Sequence, residues 1–267
     1  GYDDDISTDH DFEPSFCIFV PDDLDRRAAF RLERAYSKLP KEFMGFKRQN
    51  LSVGGRRGVI AIGEFFKSKT GVADGNLTVK DWFSVPEFYL AEAVNGEIFA
   101  DDLGQFTEIR KKISKYPDDV FKKKLAGNLL LMKQAGQYNY QRILSHGERA
   151  SAQLAVVEFS KAAINAIFLL NHKYQPFYKW TFCALKDLPL FGDTATTLEF
   201  LLTSENDDRT APTKRALIED ICGLIADHLI ENGVSKATCR DLEKHAYSVN
   251  DSIEDISVRN MNVLSAV

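Results

Sequence analysis

The chain has 267 residues, a length suited to one or two domains and sufficient for a buried core. Apolar residues make up 44% and charged residues 27%, ordinary globular usage that excludes wholesale disorder, collagen-like repeats and low-complexity architecture. With 34 Lys and Arg against 39 Asp and Glu the net charge is −5, which argues against binding extended nucleic acid but allows a basic patch for a single nucleotide.

The apolar run 162–170 falls far short of the roughly 20 residues of a membrane span, so no membrane partner is expected. Cys17, Cys183, Cys222 and Cys239 are far apart, without the short spacing of a zinc or redox motif, which fits reduced thiols in a cytoplasm. Gly1 is not Met and no leader follows it, so the expectation is a piece of a longer chain.

Short β-rich segments are predicted at residues 16–20, 58–62 and 96–100. A helix over 22–37 would be capped by Asp22 or Asp23 and stopped by Pro40, and Pro86 would open another through Val94. Gly54 and Gly55, followed by Arg56 and Arg57, read as a hairpin turn rather than a phosphate loop. Strand texture stops near residues 116–119, which predicts an α+β chain: a small mixed sheet over residues 1–118, then a helical bundle over 119–267.

Within the bundle, helical spacing marks residues 118–134, 149–170 and 212–231. The last carries Leu217, Ile218, Ile221, Leu224, Ile225 and Leu229 on one face, with Gly233 at its end and Ser235 placed to cap the next helix. Residues 203–213 read as a loop, and the basic run Lys122 to Lys124 as a solvated helix face.

The first candidate for chemistry is Asp9-His10-Asp11. Alternate strand residues face the same way, so two parallel carboxylates could bridge divalent cations in phosphoryl or nucleotidyl transfer. The plain alternative is a solvated acidic turn, because Pro14 interrupts the strand. His10 would face the other way and orient its neighbours. In the segment HKYQPFYKW the rings could stack a purine while Lys173 and Lys179 neutralise phosphate; packing at a helix junction explains the rings equally well.

The runs GYDDDISTDHDFEPSFCIFV, GEIFADDLGQFTEIR, YPDDVFKKKLA, QAGQYNYQR and LLNHKYQPFYKW resemble the DUF4037 family, a branch of the polymerase-β-like nucleotidyltransferases similar to kanamycin-type enzymes. That resemblance implies a truncated nucleotidyltransferase domain followed by a DUF4037-like helical bundle. It implies Mg²⁺ on Asp9 and Asp11, with a third carboxylate from Glu64, Asp101 or Asp102; Asp101 completes the expected metal set. A Gly-Ser phosphate turn would lie upstream of Gly1.

In the bundle, Asn128, Lys133, Gln137, Tyr138, Asn139 and Arg142 gather around a break at Gly136 and could line the nucleotide cleft. The helix LLLMKQAGQYN lacks the glutamate base of kanamycin-type enzymes, and Glu158 is the nearest substitute. Among apolar neighbours its pKa would rise, favouring proton abstraction; pairing with Lys161 or Arg142 is the alternative. The expected function is Mg²⁺-dependent transfer of a nucleoside monophosphate from a nucleoside triphosphate, ATP first, to a hydroxyl acceptor. The rival reading is a nucleotide-binding or partner-binding module that has lost its chemistry.

Overall fold

In the computed structural model, which describes residues 15–47 and 57–267, the first strand, β1 (Cys17–Val20), pairs in parallel with β4 (Gly58–Ala61), in register from Cys17 with Gly58 to Val20 with Ala61. Parallel strands need a crossover. Here the crossover contains α1 (Arg26–Ser37) and a hairpin of β2 (Glu42–Phe43) and β3 (Phe46–Lys47). Among the described residues the sheets are two separate pairs of strands, not one mixed sheet.

Asp25, rather than Asp22 or Asp23, caps α1 by accepting the N–H groups of Arg27 at 3.0 Å and Ala28 at 3.2 Å. Asp22 serves a different helix. Both its oxygens accept the Gly63 N–H, at 3.0 and 3.1 Å, in the first turn of α2 (Ile62–Thr70).

The described chain forms two compact units: residues up to Asp81 with Val85–Ser114, and Trp82–Ser84 with Lys115–Val267. Unit one packs Phe19, Phe65, Phe66 and Phe106 ring against ring, with centroids 4.3 to 5.7 Å apart. Ile62, Leu90 and Ile113 are buried in the same unit. Its remaining helices are α4 (Glu87–Val94), which starts after Pro86 as the sequence predicts, and α5 (Gln105–Lys112); α3 (Val79–Ser84) runs from one unit into the other.

The strand predicted at residues 96–100 is an irregular loop. Gly96 has φ 78°, and the Arg110 guanidinium donates to the carbonyls of Gly96, at 3.0 Å, and of Asn95. Those carbonyls are occupied by a side chain and not by a neighbouring strand.

Unit two is helical, so the whole is an α+β chain with a helical C-terminal region. It is built from α6 (Asp118–Met132), α7 (Gln141–Ser145), α8 (Arg149–Leu170), α9 (Thr181–Lys186), α10 (Thr194–Thr203), α11 (Ala211–Glu231), α12 (Leu242–Asp251) and α13 (Ile256–Asn260). Helix α8 has the predicted bounds. It is long and apolar enough to cross a membrane, yet Val156, Phe159, Ala163 and Ile167 are buried against Leu125, Leu129, Ile218 and Ile225 in one core, the environment of a central bundle helix.

Gly136 does not break the chain. Residues Lys133–Tyr140 form a π-helical stretch that joins α6 to α7. A Cβ on Gly136 would lie 2.4 Å from the Phe159 ring and 2.8 Å from Ile218 Cγ2, so glycine is what lets the three segments close together. On α11 the predicted face is buried at Ile218, Ile221, Ile225 and Leu229, whereas Leu224 is 48% exposed. Asp241 caps α12, and Ser235 instead bonds the buried His245 ring.

The basic run on α6 is not a solvated face. Lys123 is fully buried, and its ammonium donates to Asn250 Oδ1 at 2.7 Å and to the carbonyls of Arg259 at 3.1 Å and Met261 at 2.7 Å. Lys124 is buried over the Tyr116 ring, and Lys122 pairs with Asp118 at 2.6 Å.

Candidate functional site

Asp9, His10 and Asp11 lie outside the described residues, as do Gly54, Gly55 and Arg56. Of the expected third carboxylates, Glu64 is exposed in the first turn of α2 and Asp102 is exposed in the loop before α5. Asp101 secures that loop: its Oδ2 accepts the Thr107 N–H at 2.8 Å and hydroxyl at 2.6 Å. The Thr107 hydroxyl bond is the main reason its pKa lies below the ordinary carboxylate value. Among the described residues no three His, Cys, Asp or Glu side chains are grouped so as to hold a metal ion.

The polar residues around Gly136 are drawn in different directions. Gln137 donates to Glu219 Oε2 at 2.8 Å and to the Arg240 carbonyl at 3.1 Å, and its Oε1 accepts the Leu242 N–H, so it ties the π-helical stretch to α11 and α12. Lys133 lies 3.3 Å from Asp241. Tyr138 is exposed with the Arg142 guanidinium over its ring, and Asn139 is half-buried beside it. Asn128 is buried within α6.

Glu158 is exposed, not sequestered among apolar groups, and its Oε1 lies 3.4 Å from Lys161 Nζ, the pairing the sequence left as an alternative. In HKYQPFYKW, Tyr174 is buried edge-on to Tyr116, the Phe177 and Tyr178 rings touch at a tilt of 43°, and Lys179 sits over Trp180. Lys173 is exposed after His172, whose φ of 51° turns the chain sharply at the end of α8.

Sequence reasoning missed a buried polar network. Tyr140 donates to Asn206 Oδ1 at 2.9 Å, and Asn206 donates to Gln153 Oε1 at 2.8 Å. The fully buried Lys214 ammonium donates to the same Gln153 oxygen at 2.9 Å and to the Ser204 carbonyl at 3.0 Å. Burial lowers the Lys214 pKa to about 8 and raises that of Tyr140 to about 12. The one available signal was the polar run TSENDDRTAPT leading into an apolar helix, which reads simply as a loop. Asn206 also lines an open cleft of about 800 Å³ whose charged walls are Arg149, Asp208, Arg215 and Glu219. None of the bundle residues singled out from sequence lines it.

Residues 82–181 match the family model described as a domain of unknown function, DUF4037. The stretch is similar to that family and contains α4 through α8 together with the runs GEIFADDLGQFTEIR, YPDDVFKKKLA, QAGQYNYQR and LLNHKYQPFYKW, whereas the run GYDDDISTDHDFEPSFCIFV lies outside the match. No curated protein and no solved structure matches the chain.

Proposed function

We propose that the chain is a nucleotidyltransferase that moves a nucleoside monophosphate from a nucleoside triphosphate, ATP first, to a hydroxyl acceptor. The observation that carries this reading is Asp9-His10-Asp11, standing just ahead of β1 in a chain with a DUF4037 segment. Asp9 and Asp11 would hold Mg²⁺, with Asp101 as the expected third carboxylate, and the bound metal would neutralise the triphosphate and polarise the reacting phosphorus. The chain's own contribution is positioning and charge neutralisation. The four free cysteines support a reducing, cytoplasmic setting.

Two bundle roles compete. Helix α8 is continuous from Arg149 to Leu170, which puts Glu158 roughly 18 Å, at 1.5 Å per residue, from the helix end, and Lys173 follows beyond the turn at His172, so the proposal does not have both serve one triphosphate. The proposal keeps Lys173 as the phosphate contact, because its ammonium is exposed and makes no ion pair among the described residues. The rival reading, binding without turnover, is favoured by the Glu158–Lys161 pair, which occupies the substitute base.

The test is to incubate the chain with Mg²⁺, each nucleoside triphosphate and a cell extract as acceptor, and to follow pyrophosphate release. Release supports transfer. Calorimetric triphosphate binding without release supports the rival, and neither binding nor release by a chain that also carries the expected Gly-Ser turn removes both.

A further inference from the structure

Residues 26–47 reverse the charge of the chain. They hold seven Lys and Arg against two Glu, a net +5 that leaves −10 for the rest. Arg27, Phe30, Arg31 and Arg34 recur at i, i+3, i+4 and i+7, which aligns them along one face of α1. All four are exposed, Phe30 at 62%. Among the described residues none of Arg26, Arg27, Arg31 and Arg34 forms an ion pair, and with Asp25 the residues Arg26, Arg27, Phe30 and Arg31 line an open cleft of about 550 Å³.

The hairpin that follows continues this composition. Met44 and Gly45 both have positive φ, the type I′ pattern of a two-residue loop, and the ribbon exposes Phe43 at 62% and Met44 at 82% between Lys41 and Lys47.

The stripe works against stability. Like charges at i and i+4 repel, and an aromatic ring left in water forgoes burial, so α1 carries a local arrangement with no structural return. We propose that this face binds single-stranded nucleic acid, with the arginines on phosphates and the Phe30 ring stacked on a base. Charge complementarity identifies the partner as a polyanion, and the position of the ring identifies which one. A helix that lies on an anionic membrane leaves a broad apolar face free for lipid. In α1 the opposite face is used by the protein: Tyr36 is buried and its hydroxyl donates to the Phe16 carbonyl at 2.7 Å, and Leu32 is half-buried. What remains outward on α1 is one ring among guanidinium groups. This inference holds whether or not the chain transfers nucleotides, and it runs against the expectation drawn from net charge alone.

The test is fluorescence anisotropy of the whole chain with a short labelled single-stranded RNA, without nucleotide or Mg²⁺, over a salt series. Binding should weaken with salt, and Phe30→Ala should weaken it about tenfold with the salt slope unchanged. The combined Arg27→Ala, Arg31→Ala and Arg34→Ala variant should lower the slope by about 2, at roughly 0.7 per phosphate contact. Circular dichroism should show both variants folded, since alanine favours helix. An affinity indifferent to Phe30→Ala, or binding to phosphatidylserine vesicles in place of RNA, would overturn the proposal.

Discussion

Lys123 and Arg31 carry the same charge, and the two units that hold them use it differently. In unit two, Lys123 and Lys214 are buried with their ammonium groups on carbonyl and amide oxygens, linking segments far apart in the chain. In unit one, Arg27, Arg31 and Arg34 lie in solvent and form no ion pair among the described residues. A buried cation whose partners are carbonyl and amide oxygens is a structural tie, since its removal strands the acceptors it served. An exposed one with no partner is available to something outside the molecule. Charge in unit two should therefore register in stability, and charge in unit one should register in binding.

The largest expected effect is at Lys123. Lys123→Met removes three donated hydrogen bonds and leaves Asn250 Oδ1 and the Met261 carbonyl without a donor, while the Arg259 carbonyl keeps the Asn250 amide at 3.3 Å, a loss of about 3 kcal/mol in urea unfolding.

Lys214 gives a pH signature. Its folded pKa is lowered from 10.5 to about 8, so the charged form costs stability. Below about pH 8 both states hold the proton and the full cost is present. Between about 8 and 10 the unfolded chain still binds a proton that the folded chain has released, so stability rises with pH, in total by on the order of 3 kcal/mol. Tyr140, raised to about 12, acts oppositely above about pH 10, when the unfolded chain ionises first. Urea unfolding across pH 7 to 10 should show the rise, and Lys214→Met should flatten it.

Gly136→Ala should cost about 2 kcal/mol, because the added Cβ meets the Phe159 ring at 2.4 Å and a packed core relaxes little. At the small end, Arg31→Ala should change stability by less than about 0.5 kcal/mol. A destabilisation there as large as that at Gly136 would break the contrast between the units.

Legibility in the sequence followed the same division. The bounds of α8 were readable because apolar residues recur at helical spacing through its length, and α4 because Pro86 suits a helix start. Lys123 was misread because a lysine run looks like a solvated face, and only the chain arriving from Arg259 and Met261, far downstream, supplies the carbonyls that bury it. Gly136 looked like a break because its requirement is set by Phe159 and Ile218, on two other helices. The strand expected near Gly96 failed for the same reason, since Arg110 takes the carbonyls that a strand would need. Local pattern shows where an element lies; which polar groups it satisfies is decided by residues distant in sequence.

We propose that chemistry belongs to Asp9 and Asp11 while stability belongs to the bundle. The direct measurement is Mg²⁺-dependent pyrophosphate release by Asp9→Asn and Asp11→Asn beside their thermal unfolding. The account predicts release abolished in both, with melting temperatures close to that of the parent chain, since removing a repelling carboxylate charge costs the fold little. Turnover that survives both substitutions, or variants that lose their fold, would contradict it.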